Sequence, residues 1–408
     1  MDRKLQKSEL ISGKKIEISG SKSETNRLLL LQAIYPELVI KNASDSDDSE
    51  VMKKALQKQS GEIDIHHAGT AMRFLTAFFA SQKGKEVVLT GSARMKQRPI
   101  HILVKALRDL GAEISYLENE GCPPLYIKGG ELKVSEVCMS ADVSSQYISA
   151  LLLIASSLSK GLKINLIGEV TSAPYIKMTL ALLSEIDVSS DFEGNTISVR
   201  PLENLHKKEI TVESDWSSAS YWYSFVALSE IGTSLKLSSY KKNSLQGDSI
   251  LSEIYAFFGV ETVFLNDEIE LRKIQSVENV IFKYDLRNAP DIAQTIAVTC
   301  FGLGIACELT GLHTLKIKET DRLEALKSEL AKLGASIEVS DKALFLKSGG
   351  TINENVSIET YNDHRMAMAF APLMLKTNVI ISDSEVVSKS YPDFWKDVES
   401  VVIQKKEH

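Results

Sequence analysis

The sequence predicts a mixed α/β (α+β) chain built from six copies of one unit with two helices and several strands, the first copy shortened. Three observations predict it. Polar motifs that open apolar, helix-like runs start at Ser21, Ala68, Ser144, Ser217, Asp291 and Asn362, at gaps of 47, 76, 73, 74 and 71 residues. A second series, Asp47, Arg98, Pro174, Gly247, Asp321 and Pro392, is spaced by 51, 76, 73, 74 and 71. Helix-ending turns recur as Leu110-Gly111-Ala112, Ile186-Asp187-Val188, Phe258-Gly259-Val260 and Leu333-Gly334-Ala335, followed by strand-like alternation such as Ile337-Glu338-Val339. A period this long fits no common short solenoid repeat, and helical runs interleaved with strand patterns imply α/β or α+β packing. Between Asp48 and His67 the chain falls about 25 residues short of the period, so one unit is expected to lack a hairpin.

Composition narrows the function class. A chain of 408 residues suggests about two or three domains with substantial cores. Its net charge of -7 argues against nucleic-acid binding, so its basic residues must act as local concentrations. Cys122, Cys138, Cys300 and Cys307 have no CxxC spacing, and Met1-Asp2-Arg3-Lys4 lacks the apolar core of a signal peptide, which leads us to expect a reduced cytoplasmic setting. No apolar run approaches the ~20 residues of a membrane span.

The motifs follow in chain order. Gly20-Ser21-Lys22-Ser23-Glu24-Thr25-Asn26-Arg27 precedes Leu28 to Leu31, and Ser21 with Glu24 reads as a capping box. Lys22 and Ser23 then fall in a first helical turn whose backbone N–H groups lack partners, with Arg27 about one turn on. Ala68-Gly69-Thr70-Ala71-Met72-Arg73 supplies small residues that let backbone approach a ligand. Arg94-Met95-Lys96-Gln97-Arg98-Pro99 concentrates three cations, with Pro99 expected at a helix start beside Arg98. Ser144, Ser145 and Gln146 open the run to Leu153 with two hydroxyls and an amide suited to phosphate or sugar-like hydroxyls, and Ser172 repeats the design as a cap.

In later copies Asp291 follows Pro290 at a helix entrance as a candidate base. Lys318-Glu319-Thr320-Asp321-Arg322 and Asn362-Asp363-His364-Arg365 each set a basic residue and a carboxylate where a helix begins, and a helix N-terminus favours anions. Lys389-Ser390-Tyr391-Pro392-Asp393 precedes the final helix. Each motif alone reads as a helix cap or a solvated charge, and a lone Glu319–Arg322 pair would be worth only ~0.2–0.5 kcal/mol. Their recurrence at corresponding points of a repeat favours a site over a scaffold. Asp45-Ser46-Asp47-Asp48 lacks the later Gly and Glu of a calcium loop and reads as a helix cap, and His66-His67 lacks a third metal ligand at a suitable spacing. GxSxG, Walker and GxGxxG motifs are absent.

The ordered set GSKSETNR, DSDD, AGTAMR, RMKQRP, VSSQ, SAPY, NSLQGD, PDIAQT, KETDR, NDHRMAM and KSYPDF, spread over residues 20–394, resembles that of the 5-enolpyruvylshikimate-3-phosphate synthases within the enolpyruvyl transferase family. The resemblance implies two similar domains of about three βαβαββ units each, an inside-out α/β barrel arrangement. They would comprise residues 20–214 and residues 1–19 plus 215–408, with the active site in the cleft between them. The N-terminal stretch from Leu5 to Ile18 would complete the sixth unit.

The implied reaction moves the enolpyruvyl group of phosphoenolpyruvate to the 5-hydroxyl of shikimate 3-phosphate, without cofactor or metal. By similarity Lys22, Gly69, Arg98, Gln146, Arg322, Arg365 and Lys389 would hold phosphoenolpyruvate. Lys22, Ser23, Arg27, Ser144, Ser145, Gln146, Ser172, Asp291, Thr314 and Lys318 would hold shikimate 3-phosphate. Asp291 would be the hydroxyl-side base, Glu319 the carbon-side acid then base, and Lys22 their assistant. The implied partners are those two small molecules, with no nucleic acid or membrane, and the implied state is a cytoplasmic monomer. His67, Phe74 and Thr314 stand where the family often has Asn, Pro and Asn. Two other readings stay open: a sister enzyme acting on UDP-N-acetylglucosamine, whose usual cysteine is missing from Arg94–Pro99, and a non-catalytic anion-binding relative.

Overall fold

The computed structural model describes residues 1–141, 144–168, 170, 173–277 and 280–405. The chain divides into two compact units, Gly20–Val212 and Met1–Ser19 with Glu213–His408. Among the described residues no helix is long and apolar enough to cross a membrane.

Within Gly20–Val212, one copy shows the repeat in full: strand Ser60–Asp64, helix Gly69–Ser81, strand Glu86–Thr90, helix His101–Asp109, and the hairpin strands Glu113–Tyr116 and Leu125–Lys128. Ile63 lies opposite Leu89 in a parallel pair, which needs a crossover such as the intervening helix. The returning hairpin strand runs antiparallel to the second strand, with Ile127 opposite Val87. Strands Glu136–Ser140, Leu162–Ile167, Ser190–Glu193 and Thr196–Val199 repeat this order around helices Ser145–Ala155 and Ala173–Glu185. The first copy has only Leu38–Lys41 and Lys208–Thr211, paired in parallel, with helices Lys22–Ile34 and Asp47–Leu56. From Leu56 the chain passes directly to Ser60–Asp64, so the hairpin expected to be missing is indeed the one omitted.

The other unit holds three further copies. Strands Lys14–Ile16, Ser234–Ser238, Val260–Phe264 and Glu268–Lys273 form one sheet, and Phe282–Asp285, Cys307–Thr310, Ile337–Val339 and Leu344–Leu346 form the next. In the last, Val356–Ile358 pairs in parallel with Val379–Ile381. The N-terminal stretch divides between two copies instead of completing only the sixth: Arg3–Leu5 pairs with Val379–Ile381 and Ser8–Leu10 with Val402–Gln404, whereas Lys14–Ile16 opens the fourth copy against Ser234–Ser238. Gly13, with φ 79°, turns the chain between the two tasks.

Helix chemistry explains the layering. Helices Lys22–Ile34, Gly69–Ser81 and Ser145–Ala155 pack on one another, as do Trp216–Leu228, Ala293–Leu303 and His364–Phe370. Trp216–Leu228 is buried at every position except Ser217, and the polar residues it buries are small serines. The outer helix His101–Asp109 instead buries Leu103, Val104, Ala106 and Leu107 and exposes Lys105 and Arg108. Hydroxyls lace the inner helices: Ser220 meets Thr295 at 3.1 Å, and one turn on Thr299 donates to Ser224 at 2.8 Å. Each such bond nets about 1 kcal/mol, but an unmet buried hydroxyl would cost more.

The four helix-ending turns behave alike. Gly111, Asp187, Gly259 and Gly334 all have positive φ, and the amides of Ala112, Val188 and Ala335 reach back to the carbonyls of Leu107, Leu183 and Leu330 at 2.9, 3.0 and 3.0 Å. Their surroundings differ. A Cβ at Gly259 would sit 2.1 Å from the Gln275 carbonyl oxygen, whereas at Gly111 its nearest neighbour is 3.7 Å away. Gly111→Ala is therefore expected to cost only backbone strain, about 1–2 kcal/mol, and Gly259→Ala that strain plus about 1–3 kcal/mol of overpacking. Urea unfolding of both variants checks the ranking, and equal losses would refute it.

Candidate active site

In the unit carrying residues 213–408, local signals bring the expected charges together. Asp291 sits in the short 3-10 turn Pro290–Ile292 that leads into helix Ala293–Leu303. Asp321 caps helix Arg322–Lys332 by accepting from the amides of Leu323 and Glu324, both at 3.2 Å, and so starts that helix at Arg322. Asp363 caps helix His364–Phe370, accepting from the Arg365 amide at 2.9 Å.

The Arg322 side chain is only 2% exposed and bonds three carboxylates. Its Nε donates to Asp363 Oδ2 at 2.7 Å, Nη1 to Asp291 Oδ1 at 2.9 Å, and Nη2 to Glu319 Oε2 at 2.8 Å. Asp291 also lies 3.5 Å from Lys318 Nζ and accepts from Arg365 Nη2 at 3.1 Å. The Glu319–Arg322 pair is thus one edge of a buried cluster and not an isolated surface pair. Lys389 Nζ donates to the Asn362 carbonyl at 2.5 Å, and the Thr314 hydroxyl is buried with no partner among the described residues.

These contacts shift the titration of Asp291, Arg322 and Asp248. Burial, the largest influence on Asp291, would raise its pKa, but Arg365, Lys318 and Arg322 together hold it well below the usual carboxylate range. Burial likewise works against the Arg322 charge, and Asp363, Glu319 and Asp291 overcome it and raise its pKa. Asp248 goes the other way. It is 4% exposed, accepts from the Ser217 hydroxyl, and is pushed up to about 6 by burial and then by the nearby Asp291 charge. Ser217 in turn accepts from Arg365 Nη2 at 3.3 Å.

The unit Gly20–Val212 gathers the remaining residues. Ser21 caps helix Lys22–Ile34 by accepting from the Glu24 amide at 3.4 Å, and Lys22 Nζ lies 3.4 Å from Asp48 Oδ2. Arg27 is buried. Its Nε donates to Thr179 Oγ1 at 2.8 Å, Nη1 to the Ser23 carbonyl at 2.7 Å and Nη2 to Ser149 Oγ at 3.2 Å, and the Phe74 ring centroid lies 5.4 Å from its guanidinium carbon. Burial lowers its pKa to about 10, which leaves it charged at neutral pH.

Ser144 caps helix Ser145–Ala155, and Gln146 Nε2 donates to Thr70 Oγ1 at 3.2 Å. Gly69 leaves room for the Arg98 guanidinium, which a Cβ there would meet at 2.6 Å and oblige to shift. Asp47, Asp48, His66, His67 and Ala68 help line a cavity of about 210 Å³. Ser172 and Val143 lie outside the described residues.

One local expectation is corrected. The helix after Pro99 begins at His101, capped by Ile100, because the Pro99 carbonyl accepts from Arg73 Nη2 at 3.0 Å and from the Tyr147 hydroxyl at 2.5 Å, which holds the segment off the helical path. Sequence reading also passed over Asp363, Asp48, Asp248 and Arg73 as contributors. Asp48 and Asp363 stood inside motifs already marked as caps, but their cationic partners lie at distant positions that no local spacing reveals.

The two shifted aspartates give opposite stability signatures. For Asp248 the folded-state pKa exceeds the unfolded one, so its contribution is fully present below about pH 4 and lost as pH rises through about 6. Asp248→Asn keeps an acceptor for Ser217 and is expected to leave stability unchanged near pH 4 and raise it by about 3 kcal/mol at pH 8. Urea unfolding at the two pH values checks this, and a loss of stability at pH 8 would contradict it.

Comparison with known proteins supplies the family. The family model described as EPSP synthase (3-phosphoshikimate 1-carboxyvinyltransferase) matches residues 58–398. A 3-phosphoshikimate 1-carboxyvinyltransferase of Bacteroides fragilis (strain YCH46) is 45% identical over 387 residues, covering 94% of each chain. One from Haemophilus influenzae (strain Rd) is 35% identical over 430 residues, covering 95% of this chain and 96% of the relative. Among solved structures, an EPSP synthase from Acinetobacter baumannii superposes with TM-score 0.79 at 20% identity, covering 99% of this chain and 100% of the other. The enolpyruvyl transferase NikO from Streptomyces tendae superposes with TM-score 0.75 at 13% identity, covering 99% of each. On the family model and these relatives, the chain belongs to the EPSP synthase (3-phosphoshikimate 1-carboxyvinyltransferase) family.

Proposed function

We propose that this chain transfers the enolpyruvyl group of phosphoenolpyruvate to the 5-hydroxyl of shikimate 3-phosphate, releasing phosphate. Family membership supports the reaction. The observation that carries the residue assignment is the cluster in which Asp291 meets Arg322, Arg365 and Lys318 while Glu319 meets the same Arg322. Both substrates carry a phosphate and a carboxylate, and arginine forks suit bidentate contact with either.

In this reading Arg322, Arg365, Lys389, Lys22 and Arg98 hold phosphoenolpyruvate with Gly69 and Gln146. Ser23, Arg27, Ser144, Ser145, Gln146, Ser172, Thr314, Lys318 and Lys22 hold shikimate 3-phosphate. Asp291 takes the proton of the 5-hydroxyl as its oxygen attacks C2 of phosphoenolpyruvate, and Glu319 gives a proton to the methylene carbon, which becomes a methyl group. Glu319 then recovers a methyl proton as the C2–O bond to phosphate breaks. The proton taken by Asp291 leaves with phosphate, assisted by Lys22.

A carboxylate held far below its ordinary pKa is a weak base. The groups that depress Asp291, however, are those assigned to the substrates. As anionic substrates draw on Arg365, Lys318 and Arg322, their hold on Asp291 weakens and its basicity rises when it is needed. The enzyme is further read as a cytoplasmic monomer acting without nucleic acid or membrane.

Phosphate release on mixing the two substrates tests the reading. Release should require both, and Asp291→Ala and Glu319→Ala should each lower it about 10²–10⁴-fold. Calorimetric binding of shikimate 3-phosphate without release would identify a non-catalytic relative instead. Carbon-13 NMR of labelled aspartate should show the Asp291 carboxyl titrating at higher pH with both substrates bound than without them; an unchanged or lower value would remove substrate activation of the base.

A further inference from the structure

The turn that delivers Asp363 and Arg365 has an unfavourable backbone. The Asp363 amide donates to the Thr360 carbonyl at 2.8 Å, and between them Tyr361 and Asn362 have φ of 52° and 54°, the pattern of a mirror-image turn. Asparagine tolerates that conformation. Tyrosine does not, and left-handed backbone costs it about 1–2 kcal/mol.

Helix Arg322–Lys332 grips this turn twice. At its start Arg322 binds Asp363. Seven residues on, which returns to the same helical face, stands Glu329, only 1% exposed. Its Oε1 accepts from the Tyr361 hydroxyl at 2.7 Å and its Oε2 from the Glu359 amide at 2.9 Å, while Lys332 pairs with the same carboxylate and also donates to the Ser357 carbonyl at 2.7 Å. The turn in addition presents the Asn362 carbonyl to Lys389. Three site residues therefore depend on one strained turn and one buried carboxylate.

We propose that Glu329 is a positioning residue of the active site, its carboxylate holding Tyr361 in the left-handed turn and thereby setting Asp363, Arg365 and Lys389. The inference rests on the reading of Arg365 and Lys389 as phosphoenolpyruvate ligands. Glu329 itself touches no substrate in this account.

Steady-state kinetics of Tyr361→Phe, Glu329→Ala and the double variant Glu329→Ala with Tyr361→Gly provide the test. Each single variant should raise KM for phosphoenolpyruvate about five- to tenfold, the size expected for loss of one ordinary hydrogen bond, and leave KM for shikimate 3-phosphate within about twofold. In the double variant glycine adopts the turn without an anchor, so KM for phosphoenolpyruvate should return to within about twofold of wild type. A Glu329 that merely stabilises the fold would lower Tm without splitting the two KM values, and glycine would not restore them. Tyr361→Phe carries the test if Glu329→Ala does not fold. Unchanged KM in the single variants, or no recovery in the double variant, overturns the proposal. Lys389→Ala separates the premises: if it leaves KM for phosphoenolpyruvate unchanged, the ligand assignment fails, and if it raises KM while Tyr361→Phe does not, the inference about Glu329 alone fails.

Discussion

Burying the Arg322 guanidinium sets the terms for the unit that contains it. A full positive charge almost shut off from solvent is tolerable only when its N–H groups are met by anions in good geometry, and removing one partner of such a group typically costs about 3–5 kcal/mol. Asp291, Glu319 and Asp363 meet that demand from three chain segments: a 3-10 turn, the stretch before the arginine's own helix, and the cap of the next inner helix. Neutralising one charge thus joins the fifth and sixth copies of the repeat. It also leaves Asp291 and Glu319 partly exposed, at 17% and 18%, where chemistry can reach them.

The repeat explains why such clusters arise at helix starts. Each copy presents an inner helix whose middle is enclosed by sister helices and holds apolar side chains and hydroxyls that bond one another, so charged chemistry gathers near the helix start. Ser21, Ala68, Ser144, Asp215 and Asp363 take cap positions on five of those helices. Four of the five use a side-chain oxygen to accept a backbone amide; Ala68 does not, and there Gly69 gives room to the Arg98 guanidinium. The cap and the residue after it differ from copy to copy: Ser21-Lys22, Ala68-Gly69, Ser144-Ser145, Asp215-Trp216 and Asp363-His364.

What was legible in the sequence was local. Ser46 before Asp47-Asp48 reads as a cap and is one, accepting from the Ser49 amide, and Gly111, Asp187, Gly259 and Gly334 mark helix ends because αL backbone at that position is a property of a few adjacent residues. Spacing between motifs revealed the copies and the absent hairpin, since both leave a trace in residue counts. Partnership over distance left none. Arg322 and Asp363 are 41 positions apart, and Arg27 reaches Ser149 and Thr179 from 122 and 152 positions away. The division of the N-terminal strands was equally hidden, because a three-residue strand carries too little alternation to declare which sheet it joins. Pro99 misled for the same reason: its role is set by Arg73 and Tyr147, not by its neighbours in sequence.

The split of the second unit across the chain orders events during synthesis. Gly20–Val212 is continuous and can close its sheets as soon as Lys208–Thr211 emerges to pair with Leu38–Lys41. Strands Arg3–Leu5 and Ser8–Leu10 are made earlier, yet their partners Val379–Ile381 and Val402–Gln404 come nearly four hundred residues later. At about 5–20 residues per second, the ribosome leaves those N-terminal edges without partners for tens of seconds. Their brevity, three residues each, and the Lys-rich, Glu-containing stretch from Arg3 to Lys15 keep them poor templates for pairing with other chains during the wait.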